Sequence, residues 1–289
     1  MSKRLDVKKT YKLYIGGKFP RSESERYYPL YSSKNQLLAN ICRASRKDFR
    51  NAAQAARKAQ GAWAGRSAYN RGQILYRIAE MMEGRREQLA AELRREGASS
   101  KNAEKEVDAA IDRAVYFAGW SDKYQQIFGT VNPVASSHFN FSMPEPTGVV
   151  SVLLPENGAH PLLAFMQLVL PAIVGGNTVV VLPPRDKPLT VLTLAEILHA
   201  SDVPGGVINI LCGEADELIG QFSAHMDVNA VLYGGDDETA LKLIQENAAL
   251  NVKQVIIENS ADWFDPAHEN PYSILNLQEI KTTWHPVGI

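Results

Sequence analysis

Residues 148–184 read GVVSVLLPENGAHPLLAFMQLVLPAIVGGNTVVVLPP. Two short β-branched runs, Val149–Leu154 and Thr178–Leu182, flank an apolar segment of helical length, Pro161–Val174. Gly175-Gly176 follows that segment as a C-cap would. Strand, helix and strand at this spacing form a βαβ unit, which predicts a parallel sheet with right-handed crossovers. The first strand ends in the polar turn Pro155-Glu156-Asn157-Gly158, at the edge where open α/β sheets hold ligands. Working outward, Val207–Leu211, Asn229–Tyr233 and Lys253–Ile257 are further strand-like runs. Helical patterns over Leu189–Ala200, Asp216–Ala224 and Glu238–Ala248 separate them. The predicted fold is α/β, a Rossmann-like doubly wound parallel sheet.

Composition narrows the function classes. With 289 residues and 45% apolar content, the chain can bury one large core. A formal net charge of −1 gives no drive toward nucleic acid or an anionic membrane. Cys42 and Cys212 are the only cysteines, which excludes a disulfide framework and a cysteine-based zinc site and suits a reducing compartment. The six histidines show no ligand spacing, so no metal is expected. The N-terminal stretch MSKRLDVKKTYKLYIGGK has no apolar core of a secretory signal. Gln167 and Pro171 interrupt the longest apolar segment, which is too short to span a bilayer. A cytoplasmic location is the expectation.

Ahead of the sheet, Tyr11–Pro20 reads as a hairpin turning at Gly16-Gly17. Ser45 and Asp48 mark a capped helix start, with Phe49, Ala52, Ala53, Ala56 and Ala59 on one face. A second helix begins at Ser67 with Ile74, Leu75, Ile78 and Met81 or Met82 inward. Gly84 bends or ends it, and Arg85–Arg95 continues in helical composition. A third, about 103–128, places Val107, Ile111, Ala114, Val115 and Ala118 on one stripe. All three are expected to cover the sheet. Residues 132–143 are β-prone and, joined to 147–154, are expected to form an extended hairpin. Asp265–Pro271 is a linker, and a last strand is expected over Leu277–Trp284.

These residues resemble the aldehyde dehydrogenase superfamily. Leu13-Tyr-Ile-Gly-Gly-Lys18 is similar to its opening hairpin, and Ala62-Trp63 with Arg71, Ile74-Leu75 and Ile78-Ala79 to its first helices. Phe117-Ala-Gly-Trp-Ser-Asp-Lys123, Pro144-Glu-Pro-Thr-Gly-Val149, Gly176-Asn-Thr-Val-Val180 and Pro204-Gly-Gly-Val-Ile-Asn209 resemble further family segments. The resemblance implies an NAD-binding-type domain over 1–260, with a hairpin arm at 132–152. It implies a linker and C-terminal oligomerisation strand over 261–289.

The family's chemistry needs a cysteine thiolate, an oxyanion-holding asparagine, a glutamate base and NAD(P) as hydride acceptor. Asn157, in Pro-Glu-Asn where the family has Pro-Trp-Asn, stands at the asparagine position. Glu258, ending Val255-Ile-Ile-Glu258, stands at that of the base. Read without the resemblance, Asn157 is a turn residue and Glu258 a strand-end carboxylate. The nucleophile would come from a separate catalytic domain beyond Glu258, and neither Cys42 nor Cys212 stands in its place. Both site residues are therefore read as vestigial.

Pro183, Gly213, Tyr233 and Gly235 occupy the family's cofactor-lining positions. Leu182 stands where the family's ribose-binding lysine would be, and it cannot donate a hydrogen bond. Arg185 follows at the position of a glutamate, where it could receive a 2′-phosphate. Read alone, Asp236, Asp237 and Glu238 are a capped, solvated helix start; under the resemblance they put carboxylates beside a helix start that should receive a phosphate. Like charges a few ångströms apart cost about 1–4 kcal/mol each. The expectation is no NAD(P) or weak NAD(P) binding.

Leu277-Gln-Glu-Ile-Lys-Thr-Thr283 resembles the strand that ends family members, so the chain is read as lacking the catalytic domain while keeping the arm. That layout is similar to the catalytically empty second domain of the aldehyde dehydrogenase 16 family. The expected role is a structural or regulatory subunit. Its C-terminal strand, unpaired in its own chain, would dock on a full-length aldehyde dehydrogenase and bury Ile280 or Trp284. The alternatives are a homodimer with the arm packed back on its own sheet, an NAD(P)-dependent oxidoreductase acting on aldehydes, or a nucleotide-binding protein.

Overall fold

The computed structural model describes residues 7–288. The first six residues of the stretch read as signal-free, and Ile289 at the chain's end, lie outside the described residues. The opening strands are β1 (Thr10–Tyr11), β2 (Tyr27–Tyr31) and β3 (Leu37–Cys42). Five helices follow: α1 (Arg46–Ala64), α2 (Ala68–Glu83), α3 (Arg86–Arg95), α4 (Ser100–Trp120) and α5 (Tyr124–Phe128). Next come β4 (Thr130–Asn132) and β5 (His138–Pro146). The alternating region is β6 (Val149–Leu153), α6 (Pro161–Val174), β7 (Thr178–Leu182), α7 (Leu189–His199), β8 (Ile208–Ile210), α8 (Ala215–Ala224), β9 (Ala230–Tyr233), α9 (Glu238–Ala249) and β10 (Gln254–Ile257). The chain ends with α10 (Tyr272–Leu275) and β11 (Gln278–Pro286).

The alternating region forms the expected sheet. Its order is β10-β9-β6-β7-β8, and every neighbouring pair is parallel. The first strand, β6, lies at the centre, so strand order reverses between β6 and β9. α6 and α7 pack on one side of the sheet, and α1, α8 and α9 on the other. β6 and β7 are buried at every position, which suits a parallel sheet covered on both faces.

The N-terminal helices divide their work. Only α1 lies on the sheet; α2, α3 and α4 pack on α6 and α7 instead of on strands. That second layer explains why α6, apolar but for Gln167, has every one of its residues buried. The Ser45–Asp48 capping box and the Ser67 cap form as expected, and Gly84 closes α2. The helix expected over about 103–128 breaks at Ser121, leaving α5 separate. Val115, expected inside, is 42% exposed, while Phe117 is fully buried.

The Gly16-Gly17 turn has φ of 60° and 75°, a conformation that suits glycine at both positions. Ile15 and Lys18 exchange backbone hydrogen bonds across it, and Tyr14 bridges Ile210 at the β8 edge. The β2–β3 hairpin has no counterpart in the sequence expectations. Its signal is the alternation of exposed and buried residues along β2.

The arm differs from expectation in its pairing. β5 does not join β6; it pairs antiparallel with β4 on one side and β11 on the other, giving the order β11-β5-β4. β11 is therefore not unpaired within its chain: all nine of its residues face β5, from Gln278 opposite Pro146 to Pro286 opposite His138. Nor does packing break at residue 260. Trp263, Ile274 and Leu277 of the link belong to the main core. The Asn177 side chain ties the regions together. It accepts from the Gly148 N–H and donates to the carbonyls of Ala172 and Leu277.

Candidate functional site

The carboxyl ends of β6, β7, β8 and β9 surround a cleft of about 210 Å³. It lies beside the β6–β9 reversal, where doubly wound sheets place their ligands. Leu153, Leu154 and Glu156 line it from β6, Leu182 to Asp186 from β7, Gly213 to Asp216 from β8, and Tyr233 from β9. Of the cofactor positions named from sequence, Pro183, Gly213 and Tyr233 are thus brought together. Leu182, expected from the resemblance at the ribose position, lines the cleft with a hydrocarbon side chain.

The fourth position, Gly235, is covered. A Cβ built there would lie 2.5 Å from the Tyr233 hydroxyl, so the Tyr233 ring fills the space the glycine leaves. That ring is held by the Asp237 backbone, whose N–H donates to the hydroxyl at 3.2 Å. The α9 amides are occupied too. The Asp237 side chain caps the helix, accepting from Thr239 and Ala240. The acidic run is therefore a self-capped helix start.

Charge in the cleft is one-sided. Glu156, Asp186, Glu214 and Asp216 line it, and Asp236 and Asp237 lie near enough to act on Glu156. Burial, reinforced by Asp216, Asp237 and Asp236, raises the Glu156 carboxyl above the usual carboxylate range. The one cation among the lining residues, Arg185, is already engaged. Its Nε donates to both Glu214 oxygens at 2.9 and 2.8 Å, and Nη1 donates to Asp186 at 2.9 Å. Glu214 was not singled out from sequence; its place opening α8 after a strand end is the signal for it.

The two residues at family catalytic positions lie apart from this cleft's lining. Asn157 is exposed, and its Oδ1 accepts the Ala159 N–H at 2.9 Å within its own loop. Glu258 belongs to a polar network under the link. Gln167 Nε2 donates to its Oε1 at 2.9 Å, and Ser273 Oγ reaches the same oxygen at 3.5 Å. Arg113 donates to Gln167 in turn and faces Glu269. Burial pushes the Glu258 carboxyl up. Both cysteines are buried, and burial raises the Cys212 thiol far above its ordinary value. Among the described residues, no group of three His, Cys, Asp or Glu side chains could hold a metal ion, and no helix is long and apolar enough to cross a membrane.

The α/β fold agrees with what comparison with known proteins finds. Residues 19–262 match the aldehyde dehydrogenase family. The chain belongs to that family. It is 34% identical over 263 residues to cytosolic 10-formyltetrahydrofolate dehydrogenase of Mus musculus, covering 89% of this chain and 29% of that protein. It is 33% identical over 261 residues to retinal dehydrogenase 2 of Homo sapiens, covering 88% and 49%. The solved NAD+ complex of aldehyde dehydrogenase from Bacillus cereus superposes with a TM-score of 0.81 at 28% identity, covering 87% of this chain and 51% of that one. The chain spans about half the length, or less, of these aldehyde dehydrogenase relatives.

Proposed function

We propose that this aldehyde dehydrogenase-like chain is non-catalytic, a structural or regulatory subunit whose arm docks on a partner. The observation that carries the reading is the cleft at the sheet's carboxyl edge. At about 210 Å³ it falls below the roughly 300–1,000 Å³ of small-molecule sites. A pyrophosphate there would meet Glu156, Glu214 and Asp216 with Arg185 already paired to Glu214. The Tyr233 ring over Gly235 removes further room. These residues do not fit a dinucleotide. Neither thiol of this chain suits nucleophilic attack either, because the thiolate is the reactive form and both sulfurs are buried.

The partner is a complete aldehyde dehydrogenase or a second copy of this chain, docking on the free edge of β11. The test is turnover. NADH formation over an aldehyde panel, and ester hydrolysis, should be absent for the purified chain. Turnover that disappears on Cys42→Ser or Cys212→Ser would overturn the reading.

A further inference from the structure

The arm sheet ends in an edge that is complementary to itself. Among the described residues, β11 has β5 on one side and no strand on the other. Its outer edge therefore offers backbone donors and acceptors over nine residues. Glu279 to Pro286 are all exposed, including Ile280 at 53% and Trp284 at 57%. We propose that this edge pairs antiparallel with the same strand of a second copy, with Thr282 on the two-fold axis. The result is a continuous sheet β4-β5-β11 joined to β11-β5-β4. This names the partner for the docking role proposed above and rests on that reading of the arm.

The side chains select both the occupant and the register. With Thr282 opposite itself, Ile280 faces Trp284 of the second copy, and Glu279 faces His285. Lys281 then faces Thr283. Each copy supplies both members of every pair, so the apolar Ile280–Trp284 contact forms twice. Directly opposed residues must share a face, so the strands can slip only by one residue about the axis, which shifts opposed positions by two. Centring on Lys281 places that ammonium against its own copy, and like charges directly opposite destabilise a ladder. Centring on Thr283 opposes Trp284 to Thr282 and Ile280 to Pro286, which loses the Ile280–Trp284 contact. The Thr282 register alone avoids the lysine clash, keeps Ile280 against Trp284 and keeps all nine residues of the edge opposed. Lys281 also stays free to hold Glu145 of its own chain at 3.0 Å.

The full chain should sediment as a dimer across a micromolar concentration series. The double variant I280K/W284K sets lysines opposite each other at both apolar contacts, and its mass should fall to that of one chain. I280E/W284K, which opposes a carboxylate to each lysine, should restore the dimer. Thr282→Cys should cross-link under mild oxidation, because directly opposed Cα atoms lie about 4.5–5.5 Å apart, within disulfide reach. Ile280→Cys should not, since its own counterpart lies four positions away, about 13 Å along the strand. A wild-type chain that stays monomeric overturns the proposal, as does a dimer that survives I280K/W284K. So does a monomer that enters a complex only with a complete aldehyde dehydrogenase. Aldehyde turnover by an intact dimer would overturn the non-catalytic reading while leaving the interface standing.

Discussion

Glu106 of α4 accepts the backbone N–H of Leu162 at 2.9 Å, so a carboxylate from the helical cover closes the first turn of the sheet's first crossover helix. The same carboxylate receives the Leu163 N–H and holds His160 Nδ1 at 3.0 Å. His160 itself sits at φ 50°, an uncommon value for a non-glycine residue. Glu106→Ala leaves buried amides without a partner, a loss of about 1–3 kcal/mol. Glu106→Gln keeps one carbonyl oxygen and should cost less. Chemical denaturation of the two variants should rank them in that order.

Cofactor affinity can be rebuilt in part. Calorimetry with NAD and NADP should show no micromolar binding to the wild-type chain. Leu182→Lys supplies a ribose donor and Asp236→Ser removes one carboxylate near Glu156. A hydrogen bond to a charged group contributes about 1.5–3 kcal/mol, so the double variant should gain at least roughly tenfold. Micromolar binding by the wild type would contradict the account of the cleft.

Glu258 gives a pH signature. Its folded-state pKa is raised by burial, whereas in the unfolded chain it titrates near 4.3. Between those values the folded chain holds a proton that the unfolded chain has released. Stability contributed by this group is therefore present below the unfolded value and lost as pH rises through the folded one. Glu258→Gln keeps an acceptor for Gln167 and removes the charge. It should flatten that slope and leave the chain at least as stable as wild type at pH 8, roughly a unit above neutrality. A slope unchanged in the variant assigns the dependence to another group.

Gly206 stands at φ 95° in the turn before β8, and a Cβ there would lie 2.6 Å from the Ala55 carbonyl oxygen of α1. Both atoms belong to elements fixed by packing, so neither yields cheaply. Gly206→Ala should lower stability by about 1–3 kcal/mol, read as a drop in melting temperature. Gly220→Ala, on α8 with open space around it, is the control and should be neutral or slightly stabilising.

The sheet was legible in the sequence because its signals are local. β6 and β7 are rich in valine, α6 is apolar but for Gln167, and Gly175-Gly176 marks its end. The Asp237 cap was equally local. What escaped depends on residues far apart in the chain. Glu106 reaches α6 and Glu96 reaches Leu189 and Thr190 of α7, contacts that no window around either helix reveals. Val115 fitted one rim of an inward stripe that faces α6 rather than the sheet; Val107, Ile111, Ala114 and Ala118 are buried as that stripe implies, but the opposite rim, with Phe117, is the one turned inward. The cleft's lining positions came from family resemblance. Its closure could not, because the Tyr233 ring position and the Arg185–Glu214 pair arise only once β7, β8 and β9 are side by side.

The path from β10 to β11 also makes the chain tolerant of very different lengths at one place. The strand positions on either side are fixed independently of what joins them: β10 by its ladder with β9, and β11 by its ladder with β5 and by the Asn177–Leu277 contact. Closing a longer loop between two anchored points costs only about 0.6 kcal/mol for each doubling of its length. The exposed tip of that path, residues 265–267, is thus a natural port for grafting, while Trp263, Ile274 and Leu277 stay in the core. A guest domain whose termini lie close together could be spliced in there, with the host body and arm keeping their mutual register.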